Sequence, residues 1–193
     1  MGASNLVTGP TVEPVTLAEA RTHLRITHAD LDAQIAAQII TARMHVENFT
    51  RRALINQTWD FTWDYSWPWD SHGPVLVIPL QPLVSVSSVA YVPDGGGTAT
   101  LTATTHYQVV AGDPFGRIVP AYDYAWPAVR CQPAAITVRA VVGYGATASA
   151  MPQPLRTAIL LHLELLHDRD PLIKAVLEEA RDSLMEPYRV IRL

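Results

Sequence analysis

The sequence is short of charge, of lysine and of cysteine. Only 17% of its 193 residues are Asp, Glu, Lys or Arg, against about 25% in an ordinary soluble domain, while 49% are hydrophobic. The lone Cys131 excludes an internal disulfide or a cysteine-rich zinc site and suits a reducing cytoplasm. Long apolar runs are also missing. The most apolar stretch, residues 158–166, is interrupted by His162 and Glu164 and falls short of the about 20 residues a membrane span requires. It reads as a buried helix, and no membrane partner is expected. Residues 1–14 have neither the basic nor the apolar part of a signal peptide, and Leu6 stands where N-myristoylation prefers Ser or Thr; they are expected to form a flexible arm. Lys174 is the only lysine beside thirteen arginines. Arginine suits planar, bidentate contacts at interfaces, although base composition produces the same bias. A net charge of only −4 with so much apolar content excludes global disorder. The length fits one large domain, or a core with one insertion.

Charge is also unevenly spread, with only nine charged residues between Thr58 and Met151. Before this stretch the pattern is helical. Thr16-Leu17-Ala18-Glu19 reads as a capping box opening a short helix to about Arg25. Leu31, Ile35, Ile39, Ala42, Val46 and Phe49 then share one stripe of a long helix over 29–50. The middle alternates with the period of strands. Trp59, Phe61 and Trp63 fall on one face of 58–64, and further strands are expected over 75–80, 83–92, 98–103, 107–111, 117–119 and 135–142. Pro93-Asp94-Gly95-Gly96-Gly97 reads as a turn in which glycines take positive φ. Such short, evenly spaced strands predict an antiparallel sandwich or barrel. After Pro152 and Pro154 helix returns: Leu155, Ile159, Leu163 and Leu166 on one stripe with Leu160, Leu161 and Leu165 around it, then Ile173, Leu177, Ala180 and Leu184 in a second helix ended by Glu186-Pro187. The expectation is an α+β fold. Residues 15–56 and 150–186 form a discontinuous helical bundle because neither half alone buries its stripe, 57–149 are an inserted β domain, and 187–193 are an apolar, basic tail.

Enzyme signatures are weak. No G-x-S-x-G elbow, P-loop, H-E-x-x-H helix or dinucleotide-binding glycine pattern occurs. Glu164-x-x-His167 matches half of a di-iron bundle motif, but a second copy is lacking, so no metal or other cofactor is expected. His167-Asp168 is equally weak, since adjacent residues do not face each other on a helix. Val142-Gly143-Tyr144-Gly145 looks like a potassium-filter sequence, yet the chain has no pore helices; a strand ending in a glycine turn accounts for it. Four of five tryptophans fall between Trp59 and Trp69. Trp59 and Trp63 read as core, whereas Trp67-Pro68-Trp69 sits in an expected loop and is the better interface candidate. Base stacking is disfavoured, because the block from Thr58 to Met151 holds six Asp against three Arg. A carbohydrate- or ligand-binding module built on residues 59–69 is the alternative reading. Arg51-Arg52 follow the long helix, where they complement its dipole or contribute to an interface.

The order of motifs resembles one family. Val15-Thr16-Leu17-Ala18-Glu19-Ala20, His23-Leu24-Arg25, a helix ending Phe49-Thr50-Arg51-Arg52-Ala53-Leu54-Ile55, and Gln57-Thr58-Trp59 are similar to the opening of head–tail connector (adaptor, head-completion) proteins of long-tailed bacteriophages and prophages. Pro79-Leu80-Gln81-Pro82-Leu83, Val86, Val89-Ala90-Tyr91, Val141-Val142-Gly143-Tyr144-Gly145 and Pro152-Gln153-Pro154-Leu155-Arg156 continue the likeness, which spans about Val15 to Tyr188. The family pattern often has a glycine between Thr50 and Arg51, which is lacking here. The resemblance implies a structural, non-enzymatic virion protein at the neck. About twelve copies would form a ring under the portal, extend the DNA channel and offer a platform to the next connector, stopper or tail protein. It also implies that the C-terminal end, Tyr188, Arg189, Val190, Ile191, Arg192 and Leu193, engages the portal. An exposed tail of this kind needs a covering partner, with Arg189 and Arg192 meeting acidic residues; the alternative is that it folds back onto its own helices. A ring of subunits each at −4 would let DNA slide without sequence-specific binding.

Overall fold

The structure is a computed structural model that describes residues 3–70, 73–112, 116–167 and 170–191. The chain forms an α+β fold of two compact units, Met1–Gly9 with Asn56–Gly143, and Pro10–Ile55 with Tyr144–Leu193.

The first unit is built of antiparallel strands. Its larger sheet orders β1 (Ser4–Thr8), β2 (Gln57–Trp63), β10 (Ile136–Val142), β6 (Leu83–Tyr91) and β7 (Ala99–Leu101) as β1-β2-β10-β6-β7. The period-two pattern fixes which face is buried. Phe61 lies opposite Val138, Val138 opposite Val89, and Val89 opposite Leu101, so one buried row crosses four strands. On the other face of the same register Arg139 lies opposite Asp60 and grips it with two hydrogen bonds of 2.8 and 2.7 Å. That hydrogen bonding holds the Asp60 carboxyl below its ordinary value. The second sheet orders β5 (Leu76–Val77), β9 (Arg117–Pro120) and β8 (Tyr107–Val110) as β5-β9-β8. β3 (Trp69–Asp70) and β4 (Gly73–Pro74) make a two-residue ribbon. In the turn between β6 and β7, Gly96 and Gly97 take φ of 82° and 78°, as the glycine run predicts. Buried Gln81 ties the loop before β6 to the segment before β9: its Oε1 accepts from the Leu83 and Gly116 amides, each at 3.2 Å, and its Nε2 donates to the Ile78 carbonyl at 2.7 Å.

The second unit holds α1 (Leu17–His23), α2 (Asp32–Thr50), α3 (Gln153–His167) and α4 (Pro171–Met185). The capping box forms as its sequence predicts, with the Glu19 amide donating to Thr16 Oγ1 at 3.2 Å and the Thr16 amide donating to Glu19 Oε2 at 2.9 Å. These bonds hold the Glu19 carboxyl low, and Arg156 at the start of α3 adds to them through its contact with Glu19. Ile35, Ile39, Ala42 and Val46 of α2 meet Leu155, Ile159 and Leu163 of α3 in one core, which joins the two helical halves of the sequence. α2 begins at Asp32 rather than near residue 29. At its C-terminal end Arg51 takes the left-handed conformation, with φ 57° and ψ 37°, the geometry that a glycine most often supplies after a helix.

Residues 4–8 correct the expectation of a free N-terminal arm, because β1 pairs along β2 with Ser4 opposite Phe61 and Leu6 opposite Trp59. Glu13 is likewise held, accepting from Arg43 Nε at 2.8 Å.

Candidate functional site

The C-terminal segment is the first expected contact surface, and the structure divides it. A 3-10 turn over Glu186–Tyr188 follows α4. Tyr188 packs on the helical core and its carbonyl accepts from Arg52 Nε at 2.5 Å. Val190, only 7% exposed, donates its amide to the Thr50 carbonyl at 3.0 Å. The Arg189 guanidinium lies 5.3 Å from the Phe49 ring centre, within cation–π range. This corrects the expectation of a wholly exposed tail: the segment folds back onto the end of α2, where burial of Val190 and its bond to a helix-terminal carbonyl act together. Ile191 alone of the described tail residues presents a large apolar surface, at 60% exposed. Arg192 and Leu193 lie outside the described residues.

Arg52 is corrected in the same way. It is buried, with its charge directed at Tyr188 and 5.9 Å from the Tyr144 ring centre, and is part of the helical unit rather than a free contact residue. Arg51 is exposed.

Trp67, expected in a loop at an interface, packs on other aromatic residues and is half-buried. Its ring stacks on Trp126 with centres 4.3 Å apart, lies tilted against Tyr91, and donates Nε1–H to the Pro127 carbonyl at 2.8 Å. Trp126 in turn donates to the Pro74 carbonyl at 2.9 Å. Trp63 is buried and Trp59 half-buried beside Phe61. Trp69 is placed by its backbone opposite Pro74 in β3; its side chain lies outside the described residues. Of the aromatic residues on which the ligand-binding alternative depends, Trp63 is thus taken up by the core of the β unit, while Trp67 keeps part of its surface.

Polar clusters in the helical unit are structural in their geometry. Glu164 approaches His23 at 3.3 Å, whereas His167 Nε2 meets Gln38 Oε1 at 2.5 Å, so the Glu-x-x-His pair does not converge. Among the described residues no group of three or more His, Cys, Asp or Glu side chains is placed to hold a metal ion. Of the His167-Asp168 pair only the histidine is placed, since Asp168 lies outside the described residues. Arg43 is buried between Glu13 and Glu47, bonding the latter at 2.7 Å, and Glu47 also accepts from the Leu54 amide at 2.9 Å. The rings of His45 and His162 stack with centres 4.2 Å apart, and Arg181 Nη1 lies 2.9 Å from His162 Nδ1. Burial, then the facing His45 ring and the Arg181 cation, push His162 down to about 4.

Part of the outward helix surface is apolar, beside exposed Glu178 and Glu179 on α4 and exposed Gln34, Thr41 and Asn48 on α2. On α4, Leu172 is 79% and Val176 67% exposed, with Ile173 beside them. On α2 none of the exposed residues is charged: Asp32 and Glu47 are partly covered and Arg43 is buried. No helix among the described residues is long and apolar enough to cross a membrane.

No family model matches the sequence, and no curated protein matches it. Solved structures do. The fold is shared with chains of gene transfer agent (GTA) particles. A chain of the virion of a native GTA particle is 22% identical, with TM-score 0.77, over 98% of this chain and 96% of its own length. One from the neck of an empty GTA particle computed with C6 symmetry is 23% identical, with TM-score 0.76, over 99% and 97%. One from the neck of a native GTA particle computed with C12 symmetry is 22% identical, with TM-score 0.75, over the same shares. The likeness runs through both units from end to end.

Proposed function

We propose that the protein is a structural component of a phage-like virion neck, a head–tail adaptor that closes into a ring of about twelve copies under the portal. The observation that carries this reading is the end-to-end likeness to chains of GTA necks, one of them computed with C12 symmetry. The motif order from Val15 to Tyr188 points the same way independently of the fold.

The adaptor would extend the DNA channel and give the next connector or tail component its platform. Its work is that of shape and contact rather than catalysis. In the C-terminal segment, Tyr188 and Val190 anchor the chain to the end of α2, exposed Arg189 and Ile191 would face the portal, and Arg192 and Leu193, which lie outside the described residues, complete the proposed contact. A negative net charge per subunit favours sliding of DNA over gripping it.

Native mass measurement of the protein mixed with its portal tests the reading. A defined ring bound to the portal is the expected species; a monomer that ignores the portal under assembly conditions would overturn it.

A further inference from the structure

α4 is seated by its C-terminal half. Of its fifteen residues only Arg181 and Met185 are buried. Met185 belongs to the apolar core of the helical unit, with Leu184 packed against that core, whereas residues 171–180 are exposed or half-buried throughout. The seat of Arg181 is made by two histidines. Its Nη1 lies 2.9 Å from His162 Nδ1 on α3, and a guanidinium carries donors and no acceptor. The bond therefore requires an unprotonated Nδ1 and places the ring hydrogen of His162 on Nε2. The His45 ring from α2 stacks on His162 with centres 4.2 Å apart and planes 15° apart. Its own Nε2 is shut off from water and has no hydrogen-bond partner among the described residues. One side chain from each of three helices of the same unit thus meets at this point.

We propose that His45, His162 and Arg181 form a proton-sensitive latch: with both rings neutral they hold α4 on α2 and α3, and proton uptake frees α4 while the rest of the helical unit stays folded. A proton that binds His162 at Nδ1 turns the lone pair into an N–H bond. The Arg181 N–H then loses its acceptor, and two cations face each other. A proton on His45 adds a third positive charge within stacking distance. Asp182 of α4 is the carboxylate that opposes this repulsion, but it is already engaged by Arg181 Nε and Nη2 at 2.8 Å each. What still holds α4 is then chiefly Leu184 and Met185, whereas α2 and α3 stay joined through Ile35, Ile39, Val46, Leu155, Ile159 and Leu163, so the opening is local. Both rings shift in the sense that the latch needs. Burial, then the Arg181 cation, lowers His45, and burial, His45 and Arg181 push His162 down to about 4, so the detached helix leaves rings that bind protons more tightly.

Amide hydrogen exchange of the whole chain, converted to protection factors, tests the latch. Between pH 7 and pH 5 protection in α4 should fall by about tenfold or more, and at both pH values it should stay below that of residues 39–46 in α2. His162→Gln keeps an acceptor for Arg181 but does not titrate, and should remove most of the fall. An NMR titration of the histidine rings gives a test that does not depend on this variant. In the wild type both rings should titrate below the ordinary 6.5, and Arg181→Met should raise the midpoint of His162. Constant protection in α4 across this range, or a fall undiminished in His162→Gln, would overturn the latch. Loss of protection in α4 and α2 together, to one level, would also overturn it, because that reports unfolding of the whole unit. So would a His162 that titrates at its ordinary value in the wild type.

Discussion

Single side chains in this protein mostly satisfy buried backbone or hold helices together. Gln81 is the clearest case, with three hydrogen bonds to main-chain groups that are otherwise shut off from water. Gln81→Met conserves volume but leaves the Leu83 and Gly116 amides and the Ile78 carbonyl without that partner. The expected cost is about 2–4 kcal/mol. Urea unfolding followed by tryptophan fluorescence measures it, because all five tryptophans lie in the β unit. His162 makes a pH prediction. Folded, it is held neutral down to about 4, whereas its ordinary value is 6.5, so between these values the unfolded chain binds more protons. Its stabilising contribution is complete above about 6.5 and is lost as pH falls toward about 4. The groups facing it are His45 from α2 and Arg181 and Asp182 from α4, and burial also lowers His45. His162→Gln keeps an acceptor for Arg181 and should flatten the fall in stability across this window. An unchanged slope between pH 7 and pH 5 would assign that fall to other groups.

At the scale of elements, legibility in the sequence depends on whether an element buries one regular face. α1 is legible through Thr16 and Glu19, and the row Phe61, Val138, Val89 through strict alternation, because burial there follows the helix or strand period. β1 is not: all five of its residues are exposed, so no periodicity marks it, and only pairing with β2 makes it a strand. Deleting residues 1–8 should therefore leave a folded protein but strip hydrogen-exchange protection from the Thr62 amide, which donates to the Ala3 carbonyl at 2.9 Å. Retained protection at Thr62 would show that β1 is dispensable for that edge. The packing of Trp67 is hidden for a related reason. Its partners Trp126 and Pro127 lie about sixty positions away in sequence, and local composition around Trp-Pro-Trp marks only a loop. The left-handed Arg51 is equally hidden, since the residue type that ordinarily signals it is glycine.

The whole molecule combines two units, and the proposed portal contact lies in the helical one. If the tail engages the portal as proposed, attachment and folding are separable in it. Removing residues 192–193 should leave the melting temperature unchanged and weaken binding to the portal. Removing residues 190–193 also exposes the seat of Val190 and should cost the helical unit about 1–2 kcal/mol, visible as a lower melt by circular dichroism. If the shorter truncation binds the portal as well as the full chain does, the last two residues have no part in attachment. The candidate contact residues are only partly legible because exposure is a property of the fold: Val190 and Arg52 look available in sequence and are buried in three dimensions, and Tyr188 and Trp67 are half-buried. The charge deficit of the sequence is consistent with a subunit that covers part of its surface with copies of itself. The most direct measurement is a symmetry-tested electron cryomicroscopy reconstruction of the necks of particles that contain this protein. The account predicts a closed ring of this fold directly below the portal. Density for this protein elsewhere in the particle, or none in the neck, would contradict it.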